Sequence, residues 1–126
     1  MTFPGRHTPQ GPRIDTAAYP PAEQVAQWES HTRTHVLGVR CHSATAGTLH
    51  AVQRNCAAGL MRFAELRVSP HAVERGAAEI AQEAAPQAVL LMLLEGEAMF
   101  GQDGHWVTVV PGDILALRSR AARPRA

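Results

Sequence analysis

The 126-residue chain has no lysine. All 12 basic residues are arginine, set against 11 acidic ones, for a formal net charge of +1. A balance this even argues neither for nor against a nucleic-acid partner. Together with abundant Ala, Gly and Pro, the all-arginine usage reads as the codon bias of a GC-rich genome. Cysteine is scarce: Cys41 and Cys56 are the only two. With no secretory signal in front of them, two free thiols in a reducing compartment are favoured over a disulfide. No apolar run approaches the roughly 18–20 residues that span a bilayer, and the N-terminus has no signal-peptide core. These absences lead to the expectation of a soluble cytoplasmic protein without a membrane partner. No internal repeat of solenoid or propeller period is present. The length allows one domain with one core.

Among the features that are present, the best patterned is Gln87–Leu117, QAVLLMLLEGEAMFGQDGHWVTVVPGDILAL. It reads as four short strands on three tight turns. Val89–Leu94 is an apolar run bounded by Pro86 and Gly96, and Glu97–Gly101 follows the Glu95-Gly96 break. Asp103-Gly104 is a strong hairpin signal, because a type I′ turn needs positive φ at both central residues. His105–Val110 is rich in β-branched residues. Pro111-Gly112-Asp113 then turns the chain into Ile114–Leu117, with Pro fixing one φ and Gly supplying the next. Gly96, Asp103, Gly104, Pro111, Gly112 and Asp113 are thus the structural turn residues. The pattern is that of a small β-barrel or jelly roll.

Earlier in the chain, residues 1–21 are rich in Pro, Gly and Thr. They bury too little apolar area to offset the entropy of ordering, so a disordered leader is expected. Ala22–Val36 is the one good helix candidate. Ala22, Val25, Trp28, Thr32 and Val36 form its apolar stripe, with Trp28 the only large anchor. It should be stable only when docked, on an outer face or open end of the barrel. Leu37–Ala46 is either a short strand or an extended connection. Thr48–Asn55 and Leu60–Ser69 are strands that pair antiparallel around Ala57-Ala58-Gly59. Leu60, Ala64, Leu66 and Val68 share one face of the second strand, interrupted by Arg62. His71–Arg75 is another short strand. Gly76–Pro86 is either a short helix or a crossing connection, and the jelly-roll pattern favours the connection. Arg118–Ala126 has four Arg in nine residues and no alternation, so it reads as an irregular tail.

The pieces AEQVAQWESHTRTHVLGVRC, LHAVQRN, LMRFAELRVSPHAVER and LLEGEAMFGQDGHWVTVVPGDILAL, in that order, resemble the N-terminal cupin-like domain of AraC-type transcription regulators. The parts that carry it are Arg67–His71 with Val73–Arg75, Leu94–Gly96, Gln102–Gly104 and Pro111–Asp113. The resemblance covers residues 22–117 as a domain. It implies a mainly β fold, a cupin-like jelly-roll barrel with one N-terminal helix. It also implies a sensory function, binding a small-molecule effector, forming a homodimer, or both. DNA binding in such regulators belongs to a helix-turn-helix domain that this sequence lacks. The Arg-rich end and the shortfall against the usual eight strands lead to the expectation of a barrel incomplete at its C-terminus. A truncation or frameshift near Ala116 would account for both.

Enzymatic cupins resemble the same strand pattern, and a stand-alone metal-dependent cupin enzyme is the alternative. They hold a metal with His-x-His, Glu and a later His, ligands suited to Fe, Mn, Ni or Zn. No His lies between His71 and His105, and none follows Pro111-Gly112-Asp113. The expectation is therefore no metal site, no cofactor and no catalysis. His31 and His35 share a helix face at a spacing that can bind zinc, but they lack a third ligand. Exposed helix histidines are the commoner case. Neither thiol is marked as activated, apart from the neighbouring Arg40 and Arg54. Two residues remain as candidate ligand-binding groups. Arg62 is a charge within an apolar strand face, which is costly unless partnered. It either meets an effector or pairs with Glu65, Glu95 or Glu97 at the rim, the rim pair being favoured. His71 either contacts an effector or serves as an edge-strand residue bonding to backbone, the latter being favoured. The Arg-rich tail has no recognition-helix pattern, and a solvated tail is favoured over phosphate contacts.

Overall fold

A computed structural model describes residues 11–45, 47–82 and 87–119. The fold is mainly β, with antiparallel sheets and one substantial helix. The chain divides into two compact units, residues 1–79 and residues 80–126.

In the first unit, strand β1 (Arg13–Asp15) pairs with β3 (Ala51–Ala58), and β3 pairs with β4 (Met61–Val68). Strand β2 (Arg40–Ser43) pairs separately with β5 (His71–Glu74). The β3–β4 hairpin has the expected antiparallel pairing, closed by Gly59-Leu60 between the Ala58↔Met61 pair. Gly59 takes the positive φ, 61°, that a tight two-residue loop of this kind demands at its first position.

Helix α1 (Gln24–His35) follows a 3-10 turn at Pro21–Glu23. Proline suits that first turn, where its missing N–H would have had no partner. The buried residues of α1 are Gln24, Trp28 and Thr32, spaced four apart on one stripe. Trp28 is 1% exposed and joins Ile14, Cys41, Leu49 and Ala51 in a small core, flanked by Tyr19, Val25 and Val68. The expected stripe holds at Trp28 and Thr32, whereas Ala22 is exposed and precedes the helix.

The leader expectation requires correction. Residues 1–10 lie outside the described residues, but residues 12–21 are not a disordered lead-in. Ile14 and Thr16 are buried, and β1 adds an edge strand to β3. Composition misleads here because the order comes from the partner strand. Arg13, Ile14 and Asp15 lie opposite Arg54, Gln53 and Val52. The crossing-connection reading of Gly76–Pro86 also gives way. Helix α2 (Ala77–Ala81) forms there, and Glu79 Oε1 accepts the Gly76 N–H at 2.8 Å. That bond is the returning half of a capping box. Residues 83–86 lie outside the described residues.

In the second unit, β6 (Gln87–Met92) pairs with β9 (Ile114–Ser119), and β7 (Ala98–Gln102) pairs with β8 (His105–Val109). The second pair is nested inside the first. Asp103 and Gly104, with φ of 54° and 80°, form the loop between Gln102 and His105 as the type I′ expectation requires. Gly112 has φ 96° after Pro111, and the Asp113 N–H bonds to the Val110 carbonyl at 3.0 Å. The Asp113 carboxylate accepts the Val110 N–H at 3.0 Å, closing the turn from the other side. Gly96 likewise has positive φ. Strand β9 runs to Ser119, so Arg118 and Ser119 belong to a strand and not to an irregular tail; residues 120–126 lie outside the described residues.

No closed barrel is present among the described residues. A barrel gives every strand a neighbour on both edges. Here only β3 has two partners, and the strands form one three-stranded and three two-stranded sheets. Among the described residues, no helix is long and apolar enough to cross a membrane.

Candidate functional site

The first unit is held together by polar groups as much as by apolar ones. Strand alternation puts Ile14, Ala51, Gln53 and Asn55 on the sheet face beneath α1, all of them buried. Two polar clusters satisfy that interface. At one end, the Thr16 hydroxyl donates to the Leu49 carbonyl at 2.5 Å and accepts the Ala51 N–H at 2.9 Å. Gln24 donates from Nε2 to the Thr16 and Tyr19 carbonyls and accepts the Leu49 N–H on Oε1.

At the other end a chain of side chains runs from the sheet to the helix. Gln53 Nε2 donates to Thr32 Oγ1 at 3.1 Å, and Asn55 Nδ2 donates to Gln53 Oε1 at 2.8 Å. Asn55 Oδ1 lies 2.6 Å from His31 Nε2. Because Asn55 Oδ1 can only accept, the His31 proton sits on Nε2, and Nδ1 is left on the opposite ring edge. Three side chains, Thr32, Gln53 and Asn55, thereby fix the orientation of one imidazole.

His31 forms one wall of a cleft between α1 and β1. The cleft has a volume of about 240 Å³ and is lined by Arg13, Ile14, Tyr19, Gln27, Ser30, His31, Thr34 and His35. Gln27, Ser30, His31, Thr34 and His35 come from one face of α1. The rings of His31 and His35 stand with centroids 4.5 Å apart, tilted by 48°. Burial lowers the pKa of His35, reinforced by the neighbouring His31 and by the Arg62 charge. The shared face expected from their spacing is therefore realised. Among the described residues, no cluster of three or more His, Cys, Asp or Glu is placed to hold a metal ion.

The lowered pKa has a definite consequence for stability. With its folded pKa below 6.5, His35 takes up a proton more readily in the unfolded chain. The stability it contributes is fully present above that value and is lost as pH falls through the folded pKa. A thermal melting series from about pH 7 down to pH 5 is expected to show a declining Tm, and His35→Gln should flatten that decline. An unchanged slope in the variant would assign the decline to other groups.

A second groove, about 390 Å³, lies over the ends of β1, β3 and β4 and is lined by Asp15, Thr16, His50, Ala51, Val52, Arg67, Val68 and Ser69. Asp15, Val52 and Arg67 lie in one cross-strand row, so their side chains share a face. The Ser69 hydroxyl accepts the His50 N–H, and the Ser69 N–H bonds to the His50 carbonyl.

Of the two residues singled out from the sequence, Arg62 is exposed on β4 near the β3–β4 turn, opposite Ala57. Its charge is felt by His35. Strand alternation puts Glu65 on the opposite face of β4 from Arg62. Among the described residues, Arg62 has no ion pair. His71 is exposed at the start of β5, and its Nδ1 lies 2.9 Å from the Ser69 carbonyl oxygen. Arg62 and His71 belong to different sheets. The run of β4 from Arg62 to Val68 spans about 20 Å at the usual rise per residue, so the two are not brought together. On the neighbouring β2–β5 pair, Glu74 meets His42 at 3.0 Å and Arg40 at 4.0 Å. The His42 hydrogen bond, with the Arg40 charge, lowers the Glu74 pKa.

Both cysteines are free. Burial, helped by the Glu29 carboxylate, raises the Cys41 thiol to about 11. Glu29 Oε2 also accepts the Cys41 N–H at 2.6 Å, holding the helix against β2. Since the thiolate is the reactive species, Cys41 should resist iodoacetamide in the native protein and react on unfolding. Mass spectrometry showing rapid native alkylation at Cys41 would contradict the burial described here.

The sequence pointed to His31 and His35 but gave no sign of Arg13, Tyr19, Gln53 or Asn55. The one available signal was the alternation Ala51, Gln53, Asn55, polar residues at buried-face spacing in a strand. Comparison with family models, curated proteins and solved structures finds no match.

Proposed function

We propose that this chain is a non-catalytic sensory domain of the AraC type, built on a cupin-like frame and binding a small molecule. The observation that carries this reading is the α1–β1 cleft. Its polar wall is oriented by the Thr32–Gln53–Asn55–His31 chain of hydrogen bonds. Pre-oriented polar groups lining a concave site are what fix a small ligand. Two further features support the reading: the ordered run of AraC-like segments, and the nested β6–β9 and β7–β8 pairs, an arrangement that jelly rolls use. The test is a thermal-shift screen of the full chain against a metabolite panel. A ligand at a hundred times its Kd adds about 2.7 kcal/mol, which is on the order of ten degrees in Tm for a small domain. A broad panel that leaves Tm unmoved would sink the proposal.

Pairing with a second copy of this chain is the other role the same family resemblance carries, and one observation favours it. The second unit exposes Leu90 (77%), Leu94, Met99, Trp106 (68%) and Ile114. Two-stranded sheets with apolar faces are marginal alone and gain from being covered. Sedimentation that gives a monomer at high micromolar concentration would remove dimerisation from the reading.

A further inference from the structure

The charges around the α1–β1 cleft are one-sided. Arg13 from β1 and the two imidazoles of α1 line it, and among the described residues no carboxylate does. Arg62, from β4, adds positive potential at His35. The Asp15 carboxylate is 4.0 Å from Arg13, the outer limit of an ion pair. Glu29, on the same helix, is turned to the Cys41 N–H. Of the other polar liners, Tyr19, Gln27 and Ser30 carry groups that can donate, while the Thr34 hydroxyl donates to the Ser30 carbonyl. His31 has its Nε2 committed to Asn55, so only Nδ1 remains to face a ligand.

We propose that this cleft binds a small oxyanion, a phosphate or a carboxylate, held by Arg13, His31 and His35. The inference rests on the small-molecule reading above and names its ligand class. The physical case is one of unmet demand. His35 stands 4.5 Å from the His31 ring with the Arg62 charge also acting on it, and burial together with these neighbours opposes its protonation. An anion placed among them removes that opposition and gains charge-assisted hydrogen bonds. A protonated His35 donates to the anion, so binding strengthens as pH falls. The 240 Å³ volume is below the roughly 300–1,000 Å³ of drug-sized pockets, which suits a small ion over a large cofactor.

The experiment follows the imidazole resonances of the full chain by nitrogen-15 NMR, at constant ionic strength so that general screening is fixed. The probes are inorganic phosphate, succinate and neutral glucose. Saturable movement of the His31 and His35 rings is expected with phosphate, succinate or both, and the responding anion identifies the headgroup. The affinity should be about tenfold higher near pH 6 than near pH 8, as expected for gaining one charge-assisted hydrogen bond. Arg13→Gln and His35→Gln should each weaken binding by about tenfold. His50→Gln, in the other groove, should leave it unchanged. Circular dichroism of each variant checks that the fold is retained. Rings that stay unmoved, or that shift linearly without saturating, would overturn the proposal. So would affinities that ignore Arg13→Gln and His35→Gln in folded protein. Saturation by glucose alone would overturn the oxyanion while leaving a small-molecule sensor standing. Silence from all three probes, joined to a flat thermal-shift screen, would remove both.

Discussion

Replacing Trp28 with alanine is expected to cost the first unit about 3–5 kcal/mol, the range for truncating a large buried aromatic. The residue is 1% exposed and, among the described residues, is the one aromatic side chain fully buried in a core whose other members are Ile14, Cys41, Leu49 and Ala51. Small domains are stable by about 5–15 kcal/mol, and this unit is at the size where burial is least complete. The substitution should therefore leave a substantial unfolded fraction, visible as a lower denaturation midpoint by circular dichroism. Trp28→Phe keeps an aromatic disc in the site and should lose less. An alanine variant within about 0.5 kcal/mol of the parent, the range of surface substitutions, would mean that α1 is not anchored through this residue.

The same core explains which parts of the structure were legible in the sequence. Hairpins closed by chemically specific turns were legible. Asp103-Gly104 needs two positive φ values, and the pair occupies that loop in β7–β8. Helix α1 was legible from the spacing of Trp28 and Thr32. Strand β1 was not, because three residues carry no periodicity and their strand state is conferred by β3. Barrel closure was inferred from strand count and turn order, yet pairing between strands distant in sequence leaves no local mark. The described strands settle into separate sheets. The cleft was half legible. A helical face placed His31 beside His35, but its opposite wall comes from Arg13 and Tyr19, which only the chain's return toward α1 brings near. The buried Gln24, Gln53 and Thr16 were hidden for another reason. These residue types are usually exposed, and a hydrophobic stripe is blind to a glutamine whose hydrogen bonds are all met inside.

Gln24 gives the sharpest test of that polar core. Its amide has one orientation that satisfies every neighbour. Nε2 faces the Thr16 and Tyr19 carbonyls at 3.2 and 3.3 Å, and Oε1 faces the Leu49 N–H at 3.0 Å. Leu49 is fully buried, so its N–H has no recourse to water. Gln24→Met keeps the length and the apolar stem but orphans that donor, at a cost of about 1–3 kcal/mol. The Thr16 carbonyl suffers less, since it also accepts the Tyr19 N–H at 3.0 Å. Gln24→Glu should be worse than methionine at neutral pH. A carboxylate can still accept from Leu49, but its second oxygen would face two carbonyl oxygens while buried. Protonation supplies the missing donor, so the glutamate variant should recover stability as pH falls toward about 4–5, while the methionine variant should not. Trp28 is the natural reporter: its buried ring should emit at shorter wavelength than the exposed Trp106, and Trp106→Phe isolates its signal. Equal stability of the two variants at neutral pH, or a glutamate variant that gains nothing on acidification, would show that the Gln24 amide does not bridge helix and strand as described.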